Sequence, residues 1–237
     1  MDIKRLLSLT RQAVDEYQLI QDRDHIAVGI SGGKDSLTCL YALHGLKRFY
    51  EHSFTIEAIT VDLGLGMDFS PVKRLCEKLE VPYTIVNTDI AKIVFEERKE
   101  SNPCALCAKM RKGALNQAIK ELGCNKIAYA HHKDDVIETM LLSLIYEGRF
   151  HTFAPMTFLE QTGLKLIRPL IYVKEADIVG FMHKMELPVV AGSCPADGFT
   201  KREYVKNLLK QLNRENPGVK DRMFTAVKNS KLDDWLH

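Results

Sequence analysis

The stretch GISGGKDSLTC (29–39) follows the short apolar run HIAVGI (25–30) and opens a segment of helical composition. Two adjacent glycines let a backbone approach an anion closely, and a helix that begins after a strand offers free N–H groups and a positive dipole end. Lys34 adds a positive charge, and Ser31 and Ser36 add hydroxyl donors. The pattern predicts a phosphate-binding loop between a first strand and a first helix.

This loop differs from two common nucleotide-binding motifs. A Walker A loop requires G-x-x-x-x-G-K-[ST], but Asp35 follows the lysine here, and the loop is not a G-x-G-x-x-G turn either. The string S-G-G-x-D-S resembles that of the PP-loop, or N-type, ATP pyrophosphatases, which cleave ATP between the α and β phosphates. The resemblance implies that Asp35 helps to place Mg²⁺ and that the whole loop holds the pyrophosphate: Ser31, Gly32, Gly33, Lys34, Asp35 and Ser36.

Apolar runs alternate with helical segments along most of the chain. The later strand-like runs are 55–63, 83–87, 126–132 and 165–170. This alternation predicts an α/β fold with a doubly wound, parallel, five-stranded sheet of the Rossmann type. We predict three parts: an N-terminal helix (1–24), a PP-loop ATP pyrophosphatase domain (25–198) and a C-terminal helical extension (199–237).

The composition is that of an ordinary globular protein, with 46% hydrophobic and 27% charged residues among 237. No apolar run approaches the ~20 residues of a membrane span. The N-terminus MDIKRLLSLTRQAVDEY favours an amphipathic helix over a signal peptide. We therefore expect a cytoplasmic protein with no membrane association, whose six cysteines are not in disulfides.

Positive charge is concentrated in two segments. Residues 201–237 contain nine Lys/Arg and five Asp/Glu, and residues 107–122 contain four and one, although the formal net charge is only +2. Two basic patches fit a polyanionic partner. Taken alone, this charge pattern is better explained by solvated helix faces.

Acidic residues and histidines follow two further strands. Asp62 ends the second strand, and HHKDD (131–135) ends the fourth strand and opens a helix. In a doubly wound sheet these positions lie near the nucleotide, so Asp62, His131 and Asp134 are candidate ATP or Mg²⁺ contacts. Capping of the helix by Asp134 and Asp135 is the structural alternative, and the two roles are compatible.

Three of the six cysteines have the spacing of metal ligands. Cys104 and Cys107 form a C-x-x-C pair on a turn leading into a helix, and Cys194 lies in a Pro/Gly loop. A structural zinc would need a fourth ligand, for which His183 or Asp197 are weak candidates, and a redox pair is another alternative. Three thiolates with one open position suit a [4Fe–4S] cluster. The remaining cysteines occupy apolar positions and are predicted to be inert: Cys39, Cys76 and Cys124.

Several motifs occur in the order found in one family of tRNA-modifying enzymes. SGGKDS, CALCAKMRKGAL, AHHKDDVIETMLLSLIYEG, IRPLIYVKEADI and a final lone cysteine resemble the tRNA 2-thiocytidine synthetase (TtcA-type) family, with tRNA 2-thiouridine synthetases as cousins. The resemblance covers about residues 20 to 230. It implies that ATP and Mg²⁺ adenylate the C2 oxygen of a tRNA pyrimidine, most simply an anticodon-loop cytidine. Sulfur from a [4Fe–4S] cluster on Cys104, Cys107 and Cys194 then replaces AMP.

The resemblance also assigns roles to individual residues and implies partners. The catalytic residues would be Lys34, Asp35, Asp135 and Arg111. The resemblance and the two basic segments together give the candidate contacts with tRNA: Lys109, Arg111, Lys112, Lys201 and Arg202. We expect a homodimer that takes sulfur from a cysteine desulfurase or from sulfide.

Two differences bear on the substrate. The thiouridine cousins carry zinc fingers near both termini, whereas the cysteines here run only from Cys39 to Cys194, which favours the thiocytidine branch. That branch commonly has a second cysteine in the last motif, where this chain has Asp197. The alternatives are a lysidine-synthetase-like PP-loop ligase, a thiouridine synthetase, a sulfur-removing enzyme with the same cluster, and a non-catalytic nucleotide or Fe–S sensor.

Overall fold

The computed structural model describes residues 1–98, 103–190 and 201–230. The strands are β1 (Asp24–Gly29), β2 (Phe54–Asp62), β3 (Tyr83–Asn87), β4 (Lys126–Ala128), β5 (Met156–Leu159) and β6 (Leu164–Ile167). The helices are α1 (Ile3–Glu16), α2 (Lys34–Lys47), α3 (Ser70–Lys78), α4 (Ile90–Lys92), a π-helix (Ile93–Arg98), α5 (Pro103–Glu121), α6 (Lys133–Glu147), α7 (Glu175–Met185), α8 (Lys201–Glu215) and α9 (Val219–Lys228).

Within these ranges the strands form one sheet in the order β3-β2-β1-β4-β6-β5. The first five strands in this order are parallel, which confirms the predicted α/β class and its parallel sheet. The sixth strand, β5, pairs antiparallel with β6 at the edge and was not predicted. It has only four residues, of which two are exposed, so its apolar pattern is too short to mark a strand.

The central strand β1 is buried on both faces, as expected for a parallel sheet. Ile26 and Val28 pack into a large apolar cluster with α1, α2 and α6. Ala27 faces a second cluster that includes Ile119 of α5. Alternate side chains of a strand point to opposite faces, so the two clusters form the layers above and below the sheet.

The order of the strands reverses at β1, which lies between β2 and β4. In a doubly wound sheet, ligands bind beyond the carboxyl ends of the strands at such a switch point. The loop at 30–33 leaves β1 at this point and leads into α2. The fold therefore places the predicted phosphate loop at the edge where a ligand cavity is expected.

The C-terminal helices pack on the main domain. Their buried side chains belong to the same large cluster as β1 and α2: Val205, Leu209, Phe224 and Val227. The boundary predicted at residue 199, between the PP-loop domain and the C-terminal extension, stays a prediction. In the structure, α8 and α9 share one core with the rest of the protein. None of the helices in the described ranges is long and apolar enough to cross a membrane.

Candidate active site

A cavity of about 440 Å³ opens at the carboxyl ends of β1, β2 and β4. Seven of the predicted site residues line it, from the phosphate loop, the middle of α5 and the segment that leads into α6. They are Ser31, Asp35, Ser36, Arg111, Lys112, His131 and Asp135. The fold thus joins residues that lie up to about a hundred positions apart in the sequence.

The phosphate loop has the backbone that its glycines allow. Gly32 has φ +83°, in the left-handed region, and a Cβ atom there would lie 3.0 Å from the Cβ of Val190. The Gly32 carbonyl also accepts a 3.0 Å hydrogen bond from the Val190 N–H. A larger residue at position 32 would therefore disturb both the turn and its contact with the segment after α7.

The two loop serines hold the turn together. The Ser31 N–H donates to the Ser36 hydroxyl oxygen at 3.2 Å, and that hydroxyl donates to the Gly33 carbonyl at 2.9 Å. Gly33 is the N-cap of α2, and no side chain in the described part of the protein caps this helix. The N-terminal end of α2 therefore remains available for an anion.

Lys34 and Asp35 begin α2, and Asp35 Oδ1, which lies 3.9 Å from His132 Nε2, accepts no hydrogen bond within the described part of the protein. The ammonium of Lys34 lies 3.1 Å from Asp35 Oδ2 and 3.3 Å from Glu175 Oε1. The other carboxylate oxygen, Asp35 Oδ1, is buried and has no hydrogen-bond partner among the described residues. A buried oxygen without a partner is costly, and a hard cation such as Mg²⁺ would satisfy it. These residues fit ATP with Mg²⁺.

The first turn of α6 separates the two adjacent aspartates. His132 is the N-cap, and a capping box joins its side chain to the Asp135 N–H and the Asp135 carboxylate to the His132 N–H. The cap is therefore His132 rather than Asp134, while Asp135 is the first-turn acid that closes the box. Asp135 lines the cavity beside the phosphate loop.

Asp134 does not line that cavity and contacts α7 and α9 instead. Its two oxygens accept hydrogen bonds from the Lys220 ammonium and from the Glu175 N–H, both at 2.8 Å. Burial opposes its ionisation, but these donors prevail and lower the pKa of Asp134. This position makes Asp134 a link between α6, α7 and α9, and its predicted role toward ATP or Mg²⁺ stays a prediction.

Asp62 ends β2 beside the cavity but belongs to a local turn. Its Oδ1 accepts a 3.0 Å hydrogen bond from the Gly64 N–H, and its carbonyl accepts one from the Thr88 hydroxyl at 2.7 Å. Its neighbour Val61 is the β2 residue nearest the strand end that lines the cavity. A contact between Asp62 and a nucleotide stays a prediction.

His131 lies on the cavity wall between an aromatic ring and a guanidinium group. Its ring stacks on Phe153 at 4.6 Å, and its Nδ1 accepts a 3.2 Å hydrogen bond from Arg168 Nε. Burial, together with the Arg168 charge, lowers the pKa of His131 to about 4. His131 is therefore a neutral ring at physiological pH. The contact of Arg168 with His131 was not predicted, because the burial of Arg168 is not visible in the motif IRPL.

Two of the three predicted cluster cysteines lie in α5. The sequence predicted a turn before the helix, but α5 begins at Pro103, a favourable first position for proline, so Cys104 and Cys107 are both inside its first turns. Cys104 is exposed and Cys107 is half-buried. Residues three apart share a helix face, and the N-terminal end of a helix favours thiolates. The third predicted ligand, Cys194, lies outside the described residues, as does Asp197.

The remaining cysteines are poor ligands. Cys39, Cys76 and Cys124 are buried, and burial raises the pKa of their thiols to about 12, 11 and 11. Within residues 1–98, 103–190 and 201–230 no group of three His, Cys, Asp or Glu side chains could hold a metal ion. Two accessible cysteines on one helix face suit a thiolate-bound cluster that a further cysteine completes.

The predicted tRNA contacts fall into two groups. Lys109 and Lys112 lie exposed on α5 near Arg111, which is half-buried in the cavity wall. Lys201 and Arg202 begin α8, where the Lys201 ammonium lies 4.6 Å from the ring centre of Tyr146. The Arg202 guanidinium instead reaches α6 and lies 3.3 Å from Asp135 Oδ1. Their contact with tRNA stays a prediction.

Comparison with known proteins agrees with this fold and site. A family model described as a PP-loop domain matches residues 5–212. Among solved structures, the U34-tRNA thiolase NcsA from Methanococcus maripaludis with its [4Fe-4S] cluster superposes with a TM-score of 0.77, at 24% identity, over 94% of this chain and 76% of that chain. The NH3-dependent NAD synthetase from Campylobacter jejuni gives 0.52 at 14% identity, over 97% and 95%. The protein therefore has a PP-loop ATP-binding domain.

The curated relatives narrow this class. The tRNA-cytidine(32) 2-sulfurtransferase of Geobacter sulfurreducens is 36% identical over 95% of this chain and 90% of the relative. That of Pelobacter propionicus is 37% identical over 95% and 86%. The chain belongs to the tRNA-cytidine(32) 2-sulfurtransferase family, which confirms the resemblance predicted from its motifs.

Proposed function

We propose that this protein is an ATP-dependent tRNA sulfurtransferase that replaces the C2 oxygen of a cytidine, at position 32, with sulfur. The observation that carries the proposal is the buried Asp35 Oδ1, which accepts no hydrogen bond from the described residues and lies beside the N-terminus of α2, where those residues provide no side-chain cap. Such a pair of features suits Mg²⁺ and the phosphates of ATP. The relatives at 36–37% identity supply the class of reaction.

The residues of this chain divide the first half-reaction between them. The N-terminus of α2, Lys34 and the loop serines bind the departing pyrophosphate, and Asp35 helps to hold Mg²⁺. Arg111 faces the cavity from α5 and stabilises negative charge that develops on the transferred phosphoryl group. Asp135 faces it from α6, with one oxygen fixed by the His132 N–H at 3.0 Å, and orients the pyrimidine or its ATP partner.

Cys104, Cys107 and Cys194 would hold a [4Fe–4S] cluster, which would bind hydrosulfide from the sulfur donor as the nucleophile that displaces AMP from the adenylated base. The two described cysteines lie on α5, the helix that also carries Arg111, within one to two turns of it. Because α5 is a single helix, it fixes the separation between the thiols and the cation. The cluster would thus be held at the wall of the ATP cavity.

We propose further that the enzyme works in the cytoplasm, takes sulfur from a cysteine desulfurase or from sulfide, and forms a homodimer. Large apolar side chains are exposed at and after the end of α6, and such a patch suits self-association. They are Leu144, Ile145, Tyr146 and Phe150. Sedimentation of the purified protein tests the dimer, and Ile145→Lys should shift it toward the monomer.

Two measurements, pyrophosphate release and lysine incorporation, separate this proposal from the sensor and from the lysidine-synthetase-like ligase. Purified protein with ATP and Mg²⁺ should release pyrophosphate in amounts that rise with added tRNA, without consuming lysine. A non-catalytic sensor would release none. A lysidine-synthetase-like ligase would incorporate lysine into the tRNA, and that result would contradict the proposal.

A further inference from the structure

A second cavity, which we call the lysine cavity, lies on the other side of the first turn of α6. Its volume is about 580 Å³, within the range of small-ligand pockets. It is enclosed by α6, α7, α8 and α9, and five lysines line it: Lys133, Lys174, Lys206, Lys210 and Lys220. The proposed reaction assigns no role to these side chains.

The positive charge of the lysine cavity exceeds its negative charge. Three carboxylates line it, those of Asp134, Glu175 and Asp221, so the lining residues carry a formal net charge of +2. Lys210 is exposed and has no ion-pair partner among the described residues. A concave surface with unbalanced positive charge attracts and concentrates anions.

Two of the carboxylates each hold two ammonium groups in place. Asp221 binds Lys133 at 2.7 Å and Lys174 at 2.9 Å through its two oxygens. Glu175 Oε1 lies 2.7 Å from the Lys206 ammonium and 3.3 Å from that of Lys34. These shared carboxylates order the lysines without neutralising all of them. An incoming anion would therefore meet cations that already have fixed positions.

The helix termini add to this field. Residues at or next to the starts of α6, α7 and α9 line the cavity, namely Lys133, Glu175 and Gly218, so three helices begin at its wall, where their dipoles favour negative charge. Gly218, the N-cap of α9, lines the cavity and has no side-chain capping bond within the described residues. At α7 the corresponding N–H of Glu175 already binds an anion, the carboxylate of Asp134.

We propose that the lysine cavity is a phosphate-binding site that adjoins the ATP loop through Glu175. Lysine ammoniums and helix N-termini are the usual protein ligands of phosphate oxygens. Two sources supply such groups in the proposed reaction: the backbone of the bound tRNA, and pyrophosphate leaving the loop past Lys34. The identity of these sources rests on the proposed function, whereas the site itself rests on the geometry above.

The test uses Lys210→Ala and Lys174→Ala in the full-length protein, since neither substitution leaves a buried carboxylate without a cation. Lys210→Arg keeps the charge, and Lys78→Ala, on the exposed face of α3, is the matched control. Thermal melting should show that all four variants fold. Binding of tRNA is measured over a range of salt concentrations, and binding of inorganic pyrophosphate by calorimetry.

If tRNA is the source, each alanine variant weakens tRNA binding and lowers the slope of log affinity against log salt by about one. If pyrophosphate is the source, its affinity falls several-fold in the alanine variants while tRNA binding stays that of wild type. Lys210→Arg and Lys78→Ala should leave both unchanged. Unchanged binding of both tRNA and pyrophosphate in the alanine variants would overturn the proposal. Both measurements report binding and not turnover. Variants that lose binding but still thiolate tRNA would therefore support this site and leave the proposed function intact.

Discussion

The guanidinium of Arg202 bridges two carboxylates of α6: its Nη1 lies 3.3 Å from Asp135 Oδ1 and 3.1 Å from Glu138 Oε2. Glu138 is 4% exposed, and burial, with the nearby charge of Asp135, raises its pKa. Arg202 opposes both effects in part, and it fixes the oxygen of Asp135 that the capping box leaves uncommitted. The first turn of α8 thereby sets the position of a carboxylate in the ATP cavity.

Arg202→Ala should therefore reduce turnover more than substrate affinity. We expect kcat for thiolation to fall about tenfold or more, with KM for ATP nearly unchanged, since losing a charged hydrogen-bond partner costs about 1.5–3 kcal/mol. Arg202→Lys should restore part of the loss. A variant with normal kcat and a raised KM for tRNA would instead show that Arg202 contacts the RNA.

Replacement of Asp35 tests the ATP loop. Asp35→Ala should lower tRNA-dependent pyrophosphate release at least ~10²-fold, because it removes the oxygen assigned to Mg²⁺ from a preorganised charged site. The fold should persist, since the side chain lies on the cavity wall. Circular dichroism and melting temperature check the fold. Normal ATP-dependent activity in this variant would refute the assignment.

The stability of the protein should fall in acid because of His131. Its pKa is about 4 in the folded state and about 6.5 when unfolded, so the unfolded chain binds more protons between these values. This contribution is fully present above pH 6.5 and is lost progressively toward pH 4, by up to about 3 kcal/mol. The charged or titratable neighbours are Arg168, Asp135, Arg202 and His132.

Free energies of unfolding at pH 7, 5.5 and 4.5 measure this effect. His131→Gln should be less stable at pH 7 but should show a smaller decrease over this range. An equal decrease in both proteins would mean that other groups cause the acid sensitivity.

A buried ion pair at the opposite end of the sheet should be important for stability. Lys126 Nζ lies 2.6 Å from Asp24 Oδ2, and both side chains are at most 4% exposed. Lys126→Ala leaves Asp24 buried without its cation and should cost about 3–5 kcal/mol. Arg11→Ala, at the exposed pair with Asp15, should cost about 0.5 kcal/mol or less. Similar costs for the two variants in urea unfolding would contradict this account.

The sequence was sufficient for features that depend on local pattern. The alternation of strands and helices predicted the parallel sheet, and S-G-G-x-D-S predicted the loop in which Gly32 has positive φ. Successive residues of a helix point about 100° apart, so the different surroundings of Asp134 and Asp135 follow once α6 is known to begin at Lys133. The sequence left that start uncertain because either aspartate is an acceptable cap.

Contacts between distant segments could not be predicted in this way. Arg202 and Asp135 are 67 positions apart, and Lys133 and Asp221 are 88 apart. Both contacts depend on how α8 and α9 dock against α6, which no local spacing encodes. The charge pattern showed that 201–237 is basic, but not that Lys206, Lys210 and Lys220 line a cavity.

Iron content tests the ligand assignment. Anaerobically prepared wild-type protein should be brown, with thiolate-to-iron absorbance near ~400 nm, and Cys107→Ser and Cys194→Ser should lose both iron and thiolation. Cys39→Ser, at a buried position, is the matched control and should keep both, apart from a packing cost. Iron retained in Cys194→Ser would mean that the third ligand has been misassigned.

The most direct test is nucleoside mass spectrometry of unmodified tRNA after incubation with the iron-loaded protein, ATP, Mg²⁺ and sulfide. The account predicts one 2-thiocytidine per tRNA at position 32, formed only with ATP and absent with Asp35→Ala. Pyrophosphate release that yields no thiolated nucleoside, or thiolation that proceeds without ATP, would contradict it.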